Sequence, residues 1–352
     1  MFREDIQRMT GYVPGEQPKG TKVIKLNTNE NPYPPSQKVI AAISAAAEGL
    51  RRYPDATGTP FRLRAAEVLA RDCDAITADW LLCGNGSDDI LTIVTRAFVD
   101  AGSAVRYARP SYSLYKTLSE IQGARHDVVE YEADWSLGYE FATPSEDLRL
   151  VYLANPDSPS GTLLAPGEVA AIADSLPCPL LVDEAYVDFA ESNCLDLVRT
   201  NERVMVSRTL SKSYGLAGLR FGYVVAQPHV IQQLAKVKDS YNCDLLSIAG
   251  ATAAIDDQEW LAENVKKVVA ERDRMESRLA ELGFNVTPSQ ANFVWANHPS
   301  GAHGVIYERL KESGLLVRHI QHPGWRGGDD GLRVSVGTPE QNDALYSLLS
   351  QL

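Results

Sequence analysis

The chain has 352 residues, 44% hydrophobic and 23% charged, with 34 Lys and Arg against 46 Asp and Glu for a formal net charge of −12. That length buries a large core and accommodates two domains, and the composition is that of a soluble globule rather than a disordered or fibrous chain. The acidic balance argues against nucleic acid or an anionic membrane as partner, and no apolar run approaches the length of a membrane span.

Met1 to about Asn29 is polar, interrupted by Gly and Pro, and reads as an N-terminal arm; its first twenty residues lack the apolar stretch of a signal peptide, so a cytoplasmic protein is expected. Val39 to Leu50 is an Ala-rich helix, and Phe61 to Arg71 a second, opening just after Pro60. From about Leu81 to Ala226, β-like apolar runs alternate with helical patterns, as in a mostly parallel sheet covered by helices. Leu261 to Leu282 is strongly helical, with Glu263, Lys266, Lys267, Glu271 and Arg272 read as its charged face. It bridges to a smaller α/β domain from about Phe284 to Leu352. The expected division is an arm (1–29), a large domain (30–260, of which 30–50 is able to pack with the small one), and a bridging helix with the small C-terminal domain (261–352). The five cysteines, Cys73, Cys83, Cys178, Cys194 and Cys243, show neither paired nor metal-ligand spacing, so free buried thiols and no metal site are expected.

Four segments carry chemistry. In Cys83-Gly84-Asn85-Gly86-Ser87-Asp88-Asp89, a glycine turn and a Ser cap lead into the periodic run Ile90 to Phe98. Backbone N–H groups and a helix dipole there suit a phosphate, although an ordinary capped helix has the same look. The strand Leu148 to Leu153 runs into the rigid turn Asn155-Pro156-Asp157-Ser158-Pro159-Ser160-Gly161, where the Asn155 amide is either a ligand contact or a plain turn residue. Leu180 to Val182 read as a buried strand with Asp183 at its carboxyl end, where ligands bind in open α/β sheets, or else as a strand followed by a helix N-cap. Lys212 lies in Thr209-Leu210-Ser211-Lys212-Ser213-Tyr214-Gly215, with Arg220 eight positions on. A lysine flanked by hydroxyls, followed by a Gly-rich turn and an arginine, suits a cofactor bearing an aldehyde and a phosphate, which is pyridoxal 5′-phosphate (PLP). Lys212 would hold the aldehyde, Thr209, Ser211 and Arg220 the phosphate, Asp183 the protonated pyridine nitrogen, and Tyr186 the ring's phenolic oxygen.

These segments, together with Asn27-Thr28-Asn29-Glu30-Asn31-Pro32-Tyr33, Arg52-Tyr53-Pro54-Asp55, Arg109-Pro110-Ser111-Tyr112, Ala291-Asn292-Phe293 and Gly331-Leu332-Arg333-Val334-Ser335-Val336-Gly337-Thr338, occur in an order that resembles the fold-type I PLP-dependent aminotransferases, in the histidinol-phosphate aminotransferase branch. The resemblance covers almost the whole chain. It implies an α/β fold, with a large domain built on a mostly parallel sheet sandwiched by helices and a smaller α/β domain. It assigns catalysis to Lys212, Asp183 and Tyr186. Gly86, Ser87 and Asp88 would form the phosphate loop, Tyr112 would stack on the cofactor ring and Asn155 would contact its phenolic oxygen. Tyr53 would reach the cofactor phosphate of a neighbouring subunit, which implies a homodimer with shared sites. Tyr12, Asn29, Tyr241, Arg318 and Arg333 would face the substrate, the two arginines gripping its anionic end. The turn departs from the family's N-P-N-N-P-T-G by placing Asp157 beside an anionic cofactor. The stretch Gly324 to Asp330 reads as an exposed loop, with Arg326 as decoration or as an aid to anion binding.

The implied reaction is transamination of L-histidinol phosphate with 2-oxoglutarate, in histidine biosynthesis. Its rivals are an aromatic amino acid aminotransferase, a threonine-phosphate decarboxylase and, in another class, a nucleotide-binding module. For the last, Gly84-Asn85-Gly86 lacks the full G-x-G-x-x-G spacing.

Overall fold

The computed structural model describes residues 1–12, 15–17 and 23–351. A short strand, β1 (Ile24–Lys25), precedes seven strands that share one sheet: β2 (Leu81–Gly84), β3 (Ala104–Arg109), β4 (Arg125–Glu130), β5 (Leu148–Ala154), β6 (Leu180–Asp183), β7 (Val204–Thr209) and β8 (Gly222–Val225). Their order is β2-β8-β7-β6-β5-β3-β4, and β8 alone opposes the common direction. The inner strands read as unbroken apolar runs because both sheet faces are covered. In a strand, successive side chains point to opposite faces. Accordingly Val151 and Leu153, Leu180 and Val182, and Val204 and Val206 enter one core, while Leu150 and Tyr152, Leu181, and Met205 enter the other.

A second sheet is formed by β9 (Asn285–Thr287), β10 (Phe293–Asn297), β12 (Arg318–Gln321) and β13 (Asp330–Ser335), ordered β12-β13-β10-β9 and antiparallel, while β11 (Leu315–Leu316) pairs in parallel with β1. It has its own core, centred on Met275, Leu279, Val294, Leu332 and Leu345, to which Leu26 contributes. The N-terminal segment that joins this unit is therefore residues 24–26. Within residues 30–50, the helix Gln37–Ala46 packs against the helix Leu245–Asp256, while Tyr33 packs against the cluster of Phe189, Val268 and Val336.

The helix Gln258–Glu281 has 24 residues, about 36 Å at 1.5 Å per residue. Arg272 does not belong to its solvent face. It is buried, and its Nη1 donates to the carbonyls of Phe189 at 3.1 Å and Ala291 at 3.4 Å, so the helix is tied to both parts of the chain. The stretch Gly324 to Asp330 is a loop as expected, with Gly324, Arg326, Gly328 and Asp329 exposed, but Trp325 within it is not. Trp325 is buried, packs 4.3 Å from the Trp135 ring, and donates its indole N–H to the Tyr131 carbonyl at 2.8 Å, because a large aromatic with one polar handle stabilises most when both are used. Arg326 pairs with Glu132 at 2.6 Å. All five cysteines are buried and free. Among the described residues, no helix is long and apolar enough to cross a membrane.

Candidate active site

Parallel strands deliver their carboxyl ends to one edge of the sheet, and chain-derived groups gather there. Asp183 closes β6, Thr209 closes β7, and the turn after Ala154 follows β5. They open into a cleft of about 280 Å³ walled on its far side by residues of β12 and β13.

Asp183 forms the floor. Its carboxylate is buried and accepts from Tyr115 Oη at 2.9 Å and Ser207 Oγ at 3.3 Å. Burial raises its pKa to about 6 against the lowering effect of these hydroxyls, and Asp88 adds to the rise. The second reading of Asp183, as a helix N-cap, does not hold, because the next helical turn is Val187–Phe189 and its N-cap is Tyr186. Lys212 Nζ lies 3.3 Å from the Thr28 carbonyl and 5.8 Å from the centre of the Tyr186 ring.

At one end of the cleft begins the helix Ser87–Phe98, with Asp88 and Asp89 in its first turn. Its N-cap is Gly86, not Ser87, and no side chain caps it, so its first N–H groups are available to an anion. Gly86 has a φ of 86°, and a Cβ there would lie 2.5 Å from Arg220 Nη2, so only glycine admits the arginine. Arg220 reaches Asp88 at 3.3 Å and Ser211 Oγ at 3.4 Å, and Thr209 Oγ1 donates to Ser211 Oγ at 3.0 Å. Helix N-terminus, hydroxyls and guanidinium thus converge on one spot.

The opposite wall is tied together by Asn29, a buried residue with φ of 56°. Its Nδ2 donates to Tyr186 Oη at 2.9 Å, its backbone N–H donates to Ser335 Oγ at 2.8 Å, and Asn292 Nδ2 donates to its carbonyl at 3.0 Å. Arg333 sits opposite Arg318 in the β12–β13 register. Its Nη1 donates to Ser158 Oγ at 2.9 Å and its Nη2 to the Asn27 carbonyl at 3.2 Å, while its Nε is buried without a partner among the described residues. Desolvation, with the charge of Arg318 adding, pulls the Arg333 pKa down.

Of the residues expected at the site, Tyr12, Asn29, Ser87, Asp88, Tyr112, Asp183, Tyr186, Thr209, Ser211, Lys212, Arg220, Arg318 and Arg333 line this one cleft, and Gly86 borders it through Arg220. Asn155 does not line it. Its Nδ2 donates to the Leu164 carbonyl at 3.1 Å and its Oδ1 accepts from the Leu164 N–H at 2.8 Å, since a buried carboxamide in a turn satisfies itself locally. Tyr53 and Tyr241 also lie outside the cleft, stacked on each other with centroids 4.7 Å apart; Tyr53 is 82% exposed. Asp157 is buried. It accepts from Ser111 Oγ at 2.7 Å and Ser160 Oγ at 2.8 Å, and burial raises its pKa to about 6. The sequence pattern did not single out Tyr115, Ser207, Ser158 or His322, all of which touch the cleft or its charged groups. His322, two strand steps from Arg318, had a periodic signal that could have found it, whereas Tyr115 lies in the helix Leu114–Gln122 that starts after Tyr112 and shares no helical period with it.

The family described as Aminotransferase class I and II matches residues 21–349. The chain belongs to the class I and II aminotransferases. It is 54% identical to the histidinol-phosphate aminotransferase of Rhodopirellula baltica, over 99% of this chain and 95% of that protein. To histidinol-phosphate aminotransferase 1 of Trichormus variabilis it is 44% identical, over 100% of this chain and 98% of that protein. Among solved structures, the histidinol-phosphate aminotransferase of Sinorhizobium meliloti in complex with pyridoxal-5′-phosphate superposes with a TM-score of 0.86 at 28% identity, covering 99% of this chain and 96% of that one. The site of this aminotransferase fits such a cofactor on its own chemistry: a buried carboxylate partnered by hydroxyls, an amine within the same cleft, and an uncapped helix start beside an arginine.

Proposed function

We propose that this aminotransferase converts L-histidinol phosphate and 2-oxoglutarate into imidazole-acetol phosphate and L-glutamate, a step of histidine biosynthesis, in the cytoplasm. The observation that carries the reading is the pair Arg318 and Arg333, register partners on adjacent strands that both line the cleft. Two guanidinium groups suit a phosphate dianion at the substrate end next to the amine, whereas one guanidinium fork suffices for a carboxylate. The names of the full-length relatives point the same way.

Pyridoxal phosphate, when bound, supplies an electron sink for charge developing on the substrate's α-carbon. Lys212 Nζ is the anchoring amine. The same amine, when not holding the cofactor's aldehyde, would act as the general base that takes the substrate's α-proton. Asp183 would stabilise a cationic ring nitrogen of the bound cofactor. Its raised pKa is the mark of a carboxylate short of a counter-charge. Tyr186, fixed by Asn29, would offer its hydroxyl to the cofactor, and Tyr112, which donates to Asp88 at 3.0 Å, would pack against it. Ser87, Asp88 and Gly86 at the helix start, with Thr209, Ser211 and Arg220, would hold the cofactor's phosphate. Arg333 and Arg318 orient the substrate, and Tyr12, whose ring lies 6.1 Å from that of Tyr112, closes over it. The active unit is read as a homodimer, a reading supported by the exposure of Tyr53, which stacks on Tyr241 outside the cleft.

The test is a competition by kcat/KM between L-histidinol phosphate and L-phenylalanine or L-tyrosine, with 2-oxoglutarate as acceptor and glutamate formation as readout. A preference of about a hundred-fold or more for the phosphate donor is expected, from two charge-assisted contacts. Preference for the aromatic amino acids would move the assignment to an aromatic aminotransferase.

A further inference from the structure

Strand β12 alternates its side chains between two faces. His319 faces away from the cleft, and its Nε2 meets Asp330 Oδ2 at 2.6 Å. Arg318, Ile320 and, one step past the strand end, His322 fall on the other face, and all three line the cleft. His322 Nε2 is buried and has no hydrogen-bond partner among the described residues. Its ring is held in place. Its backbone N–H donates to the Asp329 carbonyl at 2.6 Å, its carbonyl accepts from the Trp325 N–H at 3.0 Å, and the rings of Trp295 and Trp325 lie 5.9 Å and 6.2 Å away. Trp325 is in turn anchored to Tyr131, so the loop after β12 serves to fix this imidazole rather than to hang in solvent. Burial, with Arg109 adding, lowers the His322 pKa to about 4, which leaves the ring neutral at neutral pH.

We propose that His322 is a specificity-determining residue of the cleft, whose Nε2–H donates to an oxygen of the substrate's phosphate monoester on the same wall as Arg318 and Arg333. The inference rests on the phosphate-bearing substrate proposed above. A buried ring nitrogen without a partner is costly, and a ligand oxygen placed against it removes that cost. Four residues of extended chain separate the Cα atoms of Arg318 and His322 by about 13 Å, so the two side chains bracket a group of phosphate size rather than touch. A phosphate presents three terminal oxygens and a carboxylate two. A third, uncharged donor therefore favours the phosphate without adding positive charge that would also attract the smaller dicarboxylate.

The experiment varies each substrate of the full holoenzyme in turn, since in a ping-pong reaction kcat/KM for one substrate reports its own half-reaction. His322→Phe keeps a packed ring and removes the donor; His322→Asn restores a donor. With His322→Phe, kcat/KM for L-histidinol phosphate is expected to fall about ten-fold, through KM, the loss of one hydrogen bond to a charged group. For 2-oxoglutarate it is expected to change less than about two-fold, because its carboxylate is held by the guanidinium forks. His322→Asn is expected to recover most of the loss. An equal fall for both substrates, which a merely structural role produces, overturns the proposal, as does unchanged kinetics in His322→Phe. A wild-type enzyme that does not use histidinol phosphate overturns the functional reading itself, and this proposal with it.

Discussion

The floor and the far wall of the cleft are opposites built from one principle. On the floor, the large sheet buries a carboxylate, Asp183, among hydroxyls, and desolvation raises its pKa to about 6. On the wall, the small sheet encloses a guanidinium, Arg333, whose Nε has no partner among the described residues, and desolvation lowers its pKa. Each is held in its less comfortable charged state by a rigid frame, and neither has a salt-bridge partner of opposite sign among the described residues. A ligand with a cationic ring nitrogen at one end of the assembly and an anionic group at the other relieves both. The apoprotein thus stores unfavourable electrostatics that binding releases, and this is how preorganised charge becomes affinity and rate.

The comparison can be broken most severely at the amine between the two surfaces. Lys212→Ala is expected to lower kcat by about 10⁴ or more, the upper range for loss of a nucleophile and base in one, while equilibrium dialysis still finds PLP bound. Turnover near wild type in that variant refutes the mechanism. Asp183→Asn tests the floor. Turnover is expected to fall about 10²–10³-fold, from loss of the charge facing the ring nitrogen. The apoprotein's Tm at pH 7.5 is expected to rise by a few degrees, because a buried charge is removed. The sign follows from linkage. A folded pKa of about 6 lies above the ordinary 3.8, so the folded state holds more protons between those values and the wild type loses stability as pH rises through that window. The Tm advantage of the asparagine variant should therefore vanish by about pH 4 and be full above about pH 7; an advantage independent of pH excludes this origin.

On the wall, Arg333→Ala is expected to lower kcat/KM for histidinol phosphate about a hundred-fold, with Arg318→Ala costing less, near ten-fold, as charge-assisted contacts of about 1.5–3 kcal/mol do. Steady-state kinetics in which Arg318→Ala leaves the phosphate donor untouched would remove the second clamp from the reading. The finest adjustment is Tyr115→Phe, which deletes the 2.9 Å bond that holds the Asp183 pKa down. The acid limb of the kcat/KM profile is expected to move to higher pH, with a loss of about three-fold near neutrality, the effect of one hydrogen bond. An unmoved limb shows that Tyr115 only packs.

The two surfaces also differ in how far the sequence disclosed them. The floor was legible because its groups sit at strand ends and within short spans: Asp183 after Leu180 to Val182, Lys212 and Arg220 in one stretch, Gly86 at a turn before a periodic run. Each has a local physical cause, so pattern and structure agree. The wall was legible only in part. Arg318 and Arg333 were recognisable from the resemblance, but not that a strand register sets them opposite each other. Asn155 illustrates the limit. Its place at a strand end was right, yet its amide is spent on Leu164, a choice made by the satisfaction of a buried group and invisible in the pattern. Arg272 and Trp325 were read as solvent-facing from charge and glycine content, and both are buried because partners far along the chain supply a carbonyl in the right place.

By itself, then, the sequence determined the alternation that makes a sheet covered on both faces, the edge at which its strands end, and the identity of the groups proposed to bind an aldehyde and a phosphate. Those are consequences of short-range periodicity and of chemistry carried by single residues. The tertiary structure alone decided that Asn29 ties Tyr186 to Ser335, that Tyr115 tunes Asp183, that Ser158 steadies Arg333, and that His322 is left facing the cleft. Such contacts join residues up to hundreds of positions apart, and burial, which sets their charge states, exists only once both sheets have closed around them.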